Sequence, residues 1–180
     1  MDDQPTLSDG RLLIRPLEST DIPHLAEAAN DPLIWEQHPS KDRGNKALFT
    51  SYAQTLLAVG GTVIFITQDE NRIIGCSRFY KAPDDIENWS IGFTFIEREF
   101  WGKNVNSALK NLMINHIFKT HDRVWFHIDP HNIRSQRATM RLGGKKIAEI
   151  EADILNSGSL APYFCYLITK ADWASVSHET

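Results

Sequence analysis

Trp89-Ser90-Ile91-Gly92-Phe93-Thr94-Phe95-Ile96, followed closely by Phe100-Trp101-Gly102-Lys103-Asn104-Val105-Asn106, is the stretch that decides the fold. Its first half is an apolar run with strand character. Strict alternation assigns Trp89, Ile91, Phe93 and Phe95 to one face and Ser90, Gly92, Thr94 and Ile96 to the other. One glycine and two asparagines then break the strand, and Val105 to Phe118 has helical periodicity, with Val105, Ala108, Leu109, Leu112, Met113 and His116 as its stripe. Ile114 and Phe118 fall off that stripe, so the helix is expected to be covered on two sides. A strand that turns abruptly into a helix leaves the first helical N–H groups unpaired, and the macrodipole adds partial positive charge there. Small residues at such a junction let a phosphate approach the backbone, so the turn reads as an anion cradle. A glycine before a helix is common, and only the rest of the chain gives this one meaning.

Downstream, Arg123 to Asp129 is a further strand, which completes a β-α-β unit expected to cross over right-handed. Ligands of such units sit at the carboxyl ends of the strands, where the glycine turn lies. A short helix follows from about Asn132 to Gly143-Gly144, then strands near Lys145–Glu151 and Pro162–Thr169. Upstream, Leu12 to Leu17 reads as a strand, and Ser19-Thr20-Asp21 as the cap of a helix over Ile22 to Ala29. A second helix is expected over Asn45 to Val59, with Leu48, Tyr52, Thr55, Leu56 and Val59 on its apolar face. Thr62–Thr67 and Arg72–Tyr80 form a hairpin around Gln68-Asp69-Glu70-Asn71, and Pro83-Asp84-Asp85 turns the chain into the central strand. No repeat or linker interrupts residues 1–180, so one α+β domain is expected.

Composition narrows the function. At 180 residues and 42% hydrophobic, the chain can bury a sizeable core. Its formal charge of −4 argues against nucleic acid as a partner. No apolar run reaches membrane-spanning length, and Met1-Asp2-Asp3 is unlike a signal peptide. Cys76 and Cys165 each lie in an apolar run and read as buried, reduced thiols. His121, His127 and His131 fall on a loop, a strand and a turn without metal-ligand spacing, so no metal is expected. A cytoplasmic protein is expected, as monomer or homodimer, with neither membrane nor nucleic acid as partner.

The ordered set of motifs resembles the GCN5-related N-acetyltransferase (GNAT) family, more narrowly the branch of ribosomal-protein alanine N-acetyltransferases. The resemblance covers residues 10 to 173 or so. It rests on Ser90-Ile91-Gly92 for an acidic-Ile-Gly triplet and Trp101-Gly102-Lys103-Asn104 for a Trp-Gly-Lys-Gly turn. Asp129-Pro130-His131-Asn132-Ile133-Arg134-Ser135, Arg141-Leu142-Gly143 and the closing Asp172-Trp173 complete it. Two positions depart from the pattern. Asn104 replaces the second glycine, and asparagine tolerates positive φ better than other non-glycine residues. Ser90 stands where an acidic general base is usual, and a hydroxyl cannot keep a proton from an ammonium without another base behind it.

The resemblance implies a mixed central sheet of six to seven strands, helices on both faces, and a splayed cleft for acetyl-CoA as cosubstrate. It implies that the backbone of Trp101, Gly102, Lys103, Asn104, Val105 and Asn106 holds the pyrophosphate, with charge added by Lys103. Pantetheine would run beside Phe95 and Ile96, with an N–H near Phe95 polarising the thioester. Asn132 would contact the cofactor arm and Ser135 would assist the leaving thiolate. Each has a plainer reading: Lys103 as a solvated lysine, Asn132 as a helix cap, Ser135 as helix surface, Trp101 as packing. Glu87, Glu97, His127, Asp129 and Tyr163 all remain candidates for the base, as does a water relay to a distant carboxylate. The activity implied is transfer of acetyl to a primary amine, on a protein N-terminus or a small molecule. The alternative is a non-catalytic acyl-CoA-binding sensor or interaction module.

Overall fold

A computed structural model describes residues 1–155 and 157–175. Its strands are β1 (Leu7–Ser8), β2 (Leu12–Pro16), β3 (Thr62–Thr67), β4 (Arg72–Ala82), β5 (Asp85–Ile96), β6 (Arg123–Ile128), β7 (Lys145–Ala152) and β8 (Ala161–Thr169). The helices are α1 (Ile22–Ala28), α2 (Pro32–Trp35), α3 (Lys46–Val59), α4 (Val105–Ile117), α5 (Ile133–Arg141) and α6 (Lys170–Ser175). All eight strands join one mixed sheet in the order β1-β2-β3-β4-β5-β6-β8-β7. The two-residue β1 is the strand beyond the six to seven expected; it is too short to show periodicity.

Each face of the sheet has its own core. On one, Leu109, Met113, Ile114 and Ile117 of α4 pack on Phe65, Phe79, Ile91, Val124 and Phe126. On the other, Leu25 of α1 and Phe49, Ala53 and Leu56 of α3 cover Ile64, Ile66, Cys76 and Phe95. The apolar face of α3 is therefore rotated from the expected one, with Leu48 half exposed and Phe49 fully buried. Asp21 does not cap α1 through its side chain. It takes two 2.7 Å hydrogen bonds from Arg15 instead, a bidentate pair worth more than one cap contact.

Two irregularities in β5 set the shape of the sheet around its centre. Between the pairs Arg78↔Gly92 and Cys76↔Phe95, β5 advances three residues while β4 advances two. The extra residue is absorbed where Phe93 takes φ 54°. Strict alternation fails there. Trp89 and Ile91 lie with the α4 core, whereas Phe93 and Phe95 pack in the opposite core and Ile96 returns to the first. The second irregularity is at the β6 edge. The parallel strands β5 and β6 pair only at Trp89↔Val124 and Ser90↔Trp125. Past Ser90 they diverge, which leaves the β5 edge from Gly92 onward facing a gap.

Candidate active site

The gap opens toward the carboxyl ends of β5 and β6, where the chain enters α4 on one side and α5 on the other. At the α4 entry, Gly102 has φ 74° and Asn104 φ 60°, so asparagine does occupy the left-handed conformation that a glycine would take more cheaply. Asn104 is the N-cap, but its side chain makes no cap hydrogen bond, and the first bond into the helix runs from Ala108 N–H to Asn104 O at 3.0 Å. The N–H groups of Val105, Asn106 and Ser107 therefore precede any intrahelical acceptor and are left uncapped. Gly102, Lys103 and Asn104 are exposed, and a β-carbon on Gly102 would meet nothing within 4 Å.

Trp101 is held by the protein itself. Its indole N–H donates to Ile96 O at 2.9 Å, and the Arg134 guanidinium lies 4.2 Å over its ring. Arg134 also donates its backbone N–H to Gln37 Oε1 at 3.0 Å and its guanidinium to Ile34 O, tying α5 and the end of α2 to the turn. Asn132 caps α5 by accepting from Ser135 N–H at 3.1 Å, and Ser135 is half-buried in the first turn. The Phe95 and Ile96 side chains are buried in opposite cores, so it is their backbone that borders the gap.

These features coincide with a family assignment. Residues 11–145 match the model of the acetyltransferase (GNAT) domain. The chain belongs to the GNAT acetyltransferase family. The fold also resembles that of a GNAT-family acetyltransferase from Bacillus anthracis, at TM-score 0.69 and 18% identity over 93% of this chain and 99% of that one. It resembles a GCN5-related N-acetyltransferase from Brucella melitensis at TM-score 0.75 and 12% identity, over 95% and 81%. A ribosomal-protein-S5-alanine acetyltransferase from Vibrio fischeri is similar at TM-score 0.64 and 17% identity, over 94% and 98%. No curated protein matches the sequence. Acyl transfer is the chemistry of this family, and among the described residues no helix is long and apolar enough to cross a membrane.

The candidate bases of this GNAT domain separate clearly. Glu97 is engaged by Arg72 in an ion pair. Asp129 accepts from His131 N–H at 2.7 Å, and Tyr163 is half-buried with its phenol pushed up by burial. Glu87 is exposed. His127 is the member with a built network. Its imidazole is fully buried, Nε2 lies 2.9 Å from Asp84 Oδ1, and Nδ1 lies 3.2 Å from Ser90 Oγ and 3.3 Å from the Tyr80 hydroxyl. A carboxylate only accepts, so Nε2 carries the proton and the single Nδ1 lone pair is the acceptor that the Ser90 and Tyr80 hydroxyls share. Burial pushes the His127 pKa down, and the Asp84 carboxylate offsets part of that. Ser90 is wholly interior rather than on an open pocket wall. Gly92 makes room for the network: a β-carbon there would sit 2.9 Å from the Tyr80 ring.

Burial, and then the neighbouring Asp84 carboxylate, push the Cys165 thiol up to about 12. The donor atoms of Asp84, His127 and Cys165 lie within 4.8 Å of one another. Sequence reading missed Asp84 and Tyr80, because register across the β4–β5 hairpin, which spacing alone does not fix, brings them to His127.

A second polar cluster, also missed, lies on the α4 face. Lys110 is 5% exposed and sits among the apolar contacts of α4. Its Nζ donates to Thr94 Oγ1 at 2.6 Å and Ser77 Oγ at 3.2 Å, and Ser77 Oγ donates to Gly92 O at 3.0 Å. Burial pushes Lys110 down to about 7. The position next to Leu109 on an amphipathic helix gave the only hint.

Proposed function

We propose that this protein transfers acetyl from acetyl-CoA to a primary amine, with the gap between β5 and β6 as the acyl-CoA site. One observation carries the reading: the two parallel strands part after Ser90↔Trp125, and an uncapped helix N-terminus stands at the mouth of the opening. The residues present fit such a ligand. The N–H groups of Val105, Asn106 and Ser107 suit a pyrophosphate, with Gly102, Lys103 and Asn104 lining its approach. The unpaired edge of β5, through Phe95 and Ile96, offers backbone partners to the amide groups of pantetheine as a neighbouring strand would. Asn132 and Ser135 stand on the α5 side, where Ser135 can donate to the sulfur as the C–S bond breaks.

The acceptor nitrogen attacks the thioester carbonyl, the new C–N bond replaces C–S, and the amine proton must leave. His127 and Asp84 supply the base that Ser90 lacks, reached through the Ser90 and Tyr80 hydroxyls, with Asp84 delivering the proton toward solvent. The acceptor class is a protein N-terminal residue or a small-molecule amine. Incubation with acetyl-CoA and a panel of an alanine-initiated peptide, a polyamine, an amino sugar and an aminoglycoside tests this. Stoichiometric release of free CoA with acetylation of one amine is expected. Acetyl-CoA binding with no turnover on any amine would favour a non-catalytic module instead.

A further inference from the structure

Lys110 violates a rule of protein interiors: its ammonium is buried against two hydroxyls, and among the described residues it has no ion pair. Such violations concentrate at functional sites, so the question is what the charge acts upon. Thr94, its nearest partner, is itself exposed although its hydroxyl is bonded to a buried amine. The exposure arises because β6 does not follow β5 past Ser90, so Thr94 borders the opening.

Proton counting gives the hydroxyl its direction. Lys110 is a donor only and fills an acceptor position on both Thr94 Oγ1 and Ser77 Oγ. The Ser77 proton goes to Gly92 O. The Thr94 proton is left to the Ser77 oxygen 2.7 Å away, which already receives an ammonium N–H, to Gly92 O at a long 3.4 Å, which already accepts from Ser77, or to an acceptor in the opening. A carbonyl oxygen gathering negative charge is the stronger acceptor.

We propose that Thr94 donates a hydrogen bond to the acyl carbonyl during transfer, and that Lys110, acting through Thr94, is its positioning and polarising residue. The inference rests on the acyl-CoA reading of the opening. The same cluster fixes the strand that presents it, since Ser77 Oγ and Thr94 Oγ1 both meet Gly92 O beside the Phe93 bulge. The other titratable group felt by Lys110 is Cys76 on β4, which burial pushes up to about 12, so it stays neutral when Lys110 titrates. The ammonium is present below about 7 and lost as pH rises through that value.

The test is difference infrared spectroscopy of acetyl-CoA carrying a 13C carbonyl, bound to wild type, Thr94→Val, Thr94→Ser and Lys110→Met. Wild type should lower the carbonyl stretch relative to free acetyl-CoA, Thr94→Ser should preserve that shift, and Thr94→Val and Lys110→Met should remove most of it. Raising the pH through about 7 should move the wild-type band upward and leave that of Lys110→Met in place. With an accepted amine, kcat should fall roughly tenfold to a hundredfold in Thr94→Val while KM for acetyl-CoA stays within a few-fold. If wild type binds acetyl-CoA but Thr94→Val shows an unchanged band, the proposal is wrong and the acyl-CoA site stands. If wild type binds no acetyl-CoA, both fail, and the wild-type measurement alone reveals it.

Discussion

The two faces of β5 carry polar clusters that balance charge in opposite ways. On the face away from α4, His127 is buried with a carboxylate at one nitrogen and two hydroxyls at the other, so the ring's proton and its lone pair both have partners and no net buried charge is required. On the α4 face, Lys110 is buried with hydroxyls alone, and burial depresses its pKa to about 7. The first cluster is compatible with stability at neutral pH, whereas the second costs stability in its charged form. The contrast separates a network that stores and passes a proton from one that holds a charge beside an opening.

The largest effect should come from loading the balanced side. Ser90→Glu puts a carboxylate at a fully buried position beside His127 Nδ1, in a space filled by Tyr80. A cost of roughly 3–5 kcal/mol is expected, with soluble expression and melting temperature collapsing while Ser90→Ala stays close to wild type. A well-folded Ser90→Glu would show the cluster to be looser and wetter than its distances imply.

Next comes relief of the unbalanced side. Lys110→Met should raise the melting temperature at neutral pH by removing a buried charge while keeping the aliphatic stem. The sign follows from linkage. The folded pKa lies below the ordinary 10.5, so between about 7 and 10.5 the unfolded chain binds more protons, and wild-type stability rises with pH across that window. Melting curves should show this slope in wild type and its loss in Lys110→Met. Equal slopes in both proteins would mean that Lys110 is not the buried cation described.

The smallest effect sharpens the role of the carboxylate. Asp84 holds the His127 pKa up, so Asp84→Asn should depress it further. The acid limb of kcat, set by protonation of His127, should then move to lower pH, while the plateau falls by roughly tenfold as the proton acceptor is lost. A limb that moves to higher pH, or does not move, would remove His127 from the proton path.

Much of this architecture was legible in the sequence, because strands such as Thr62–Thr67 and helices such as Val105–Ile117 are long enough for their periods to show. The turn at Gly102 and Asn104 was legible too, since few residue types accept positive φ there. The faces of β5 were not. One extra residue at Phe93 reverses which side each later side chain takes, and no local pattern marks a bulge at a phenylalanine. Alternation puts Ser90 on the face opposite Trp89 and Ile91, where it lies, but not its full burial beside its cross-strand partner Tyr80. Lys110 was unreadable because its partners Ser77 and Thr94 come from two strands of the sheet, β4 and β5, and only the packing of α4 on that sheet joins them.

The central claim, that the parting of β5 and β6 holds acyl-CoA by way of the α4 entry turn, is most directly tested by calorimetric titration of acetyl-CoA into wild type and Gly102→Val. Gly102 has φ 74° with open space around it, so valine there strains the turn and redirects its N–H groups without crowding the core. Wild type should bind acetyl-CoA far more tightly than adenosine, and the folded variant should bind at least roughly tenfold more weakly, about 1.4 kcal/mol. Equal affinity of wild type and a folded Gly102→Val would contradict the account.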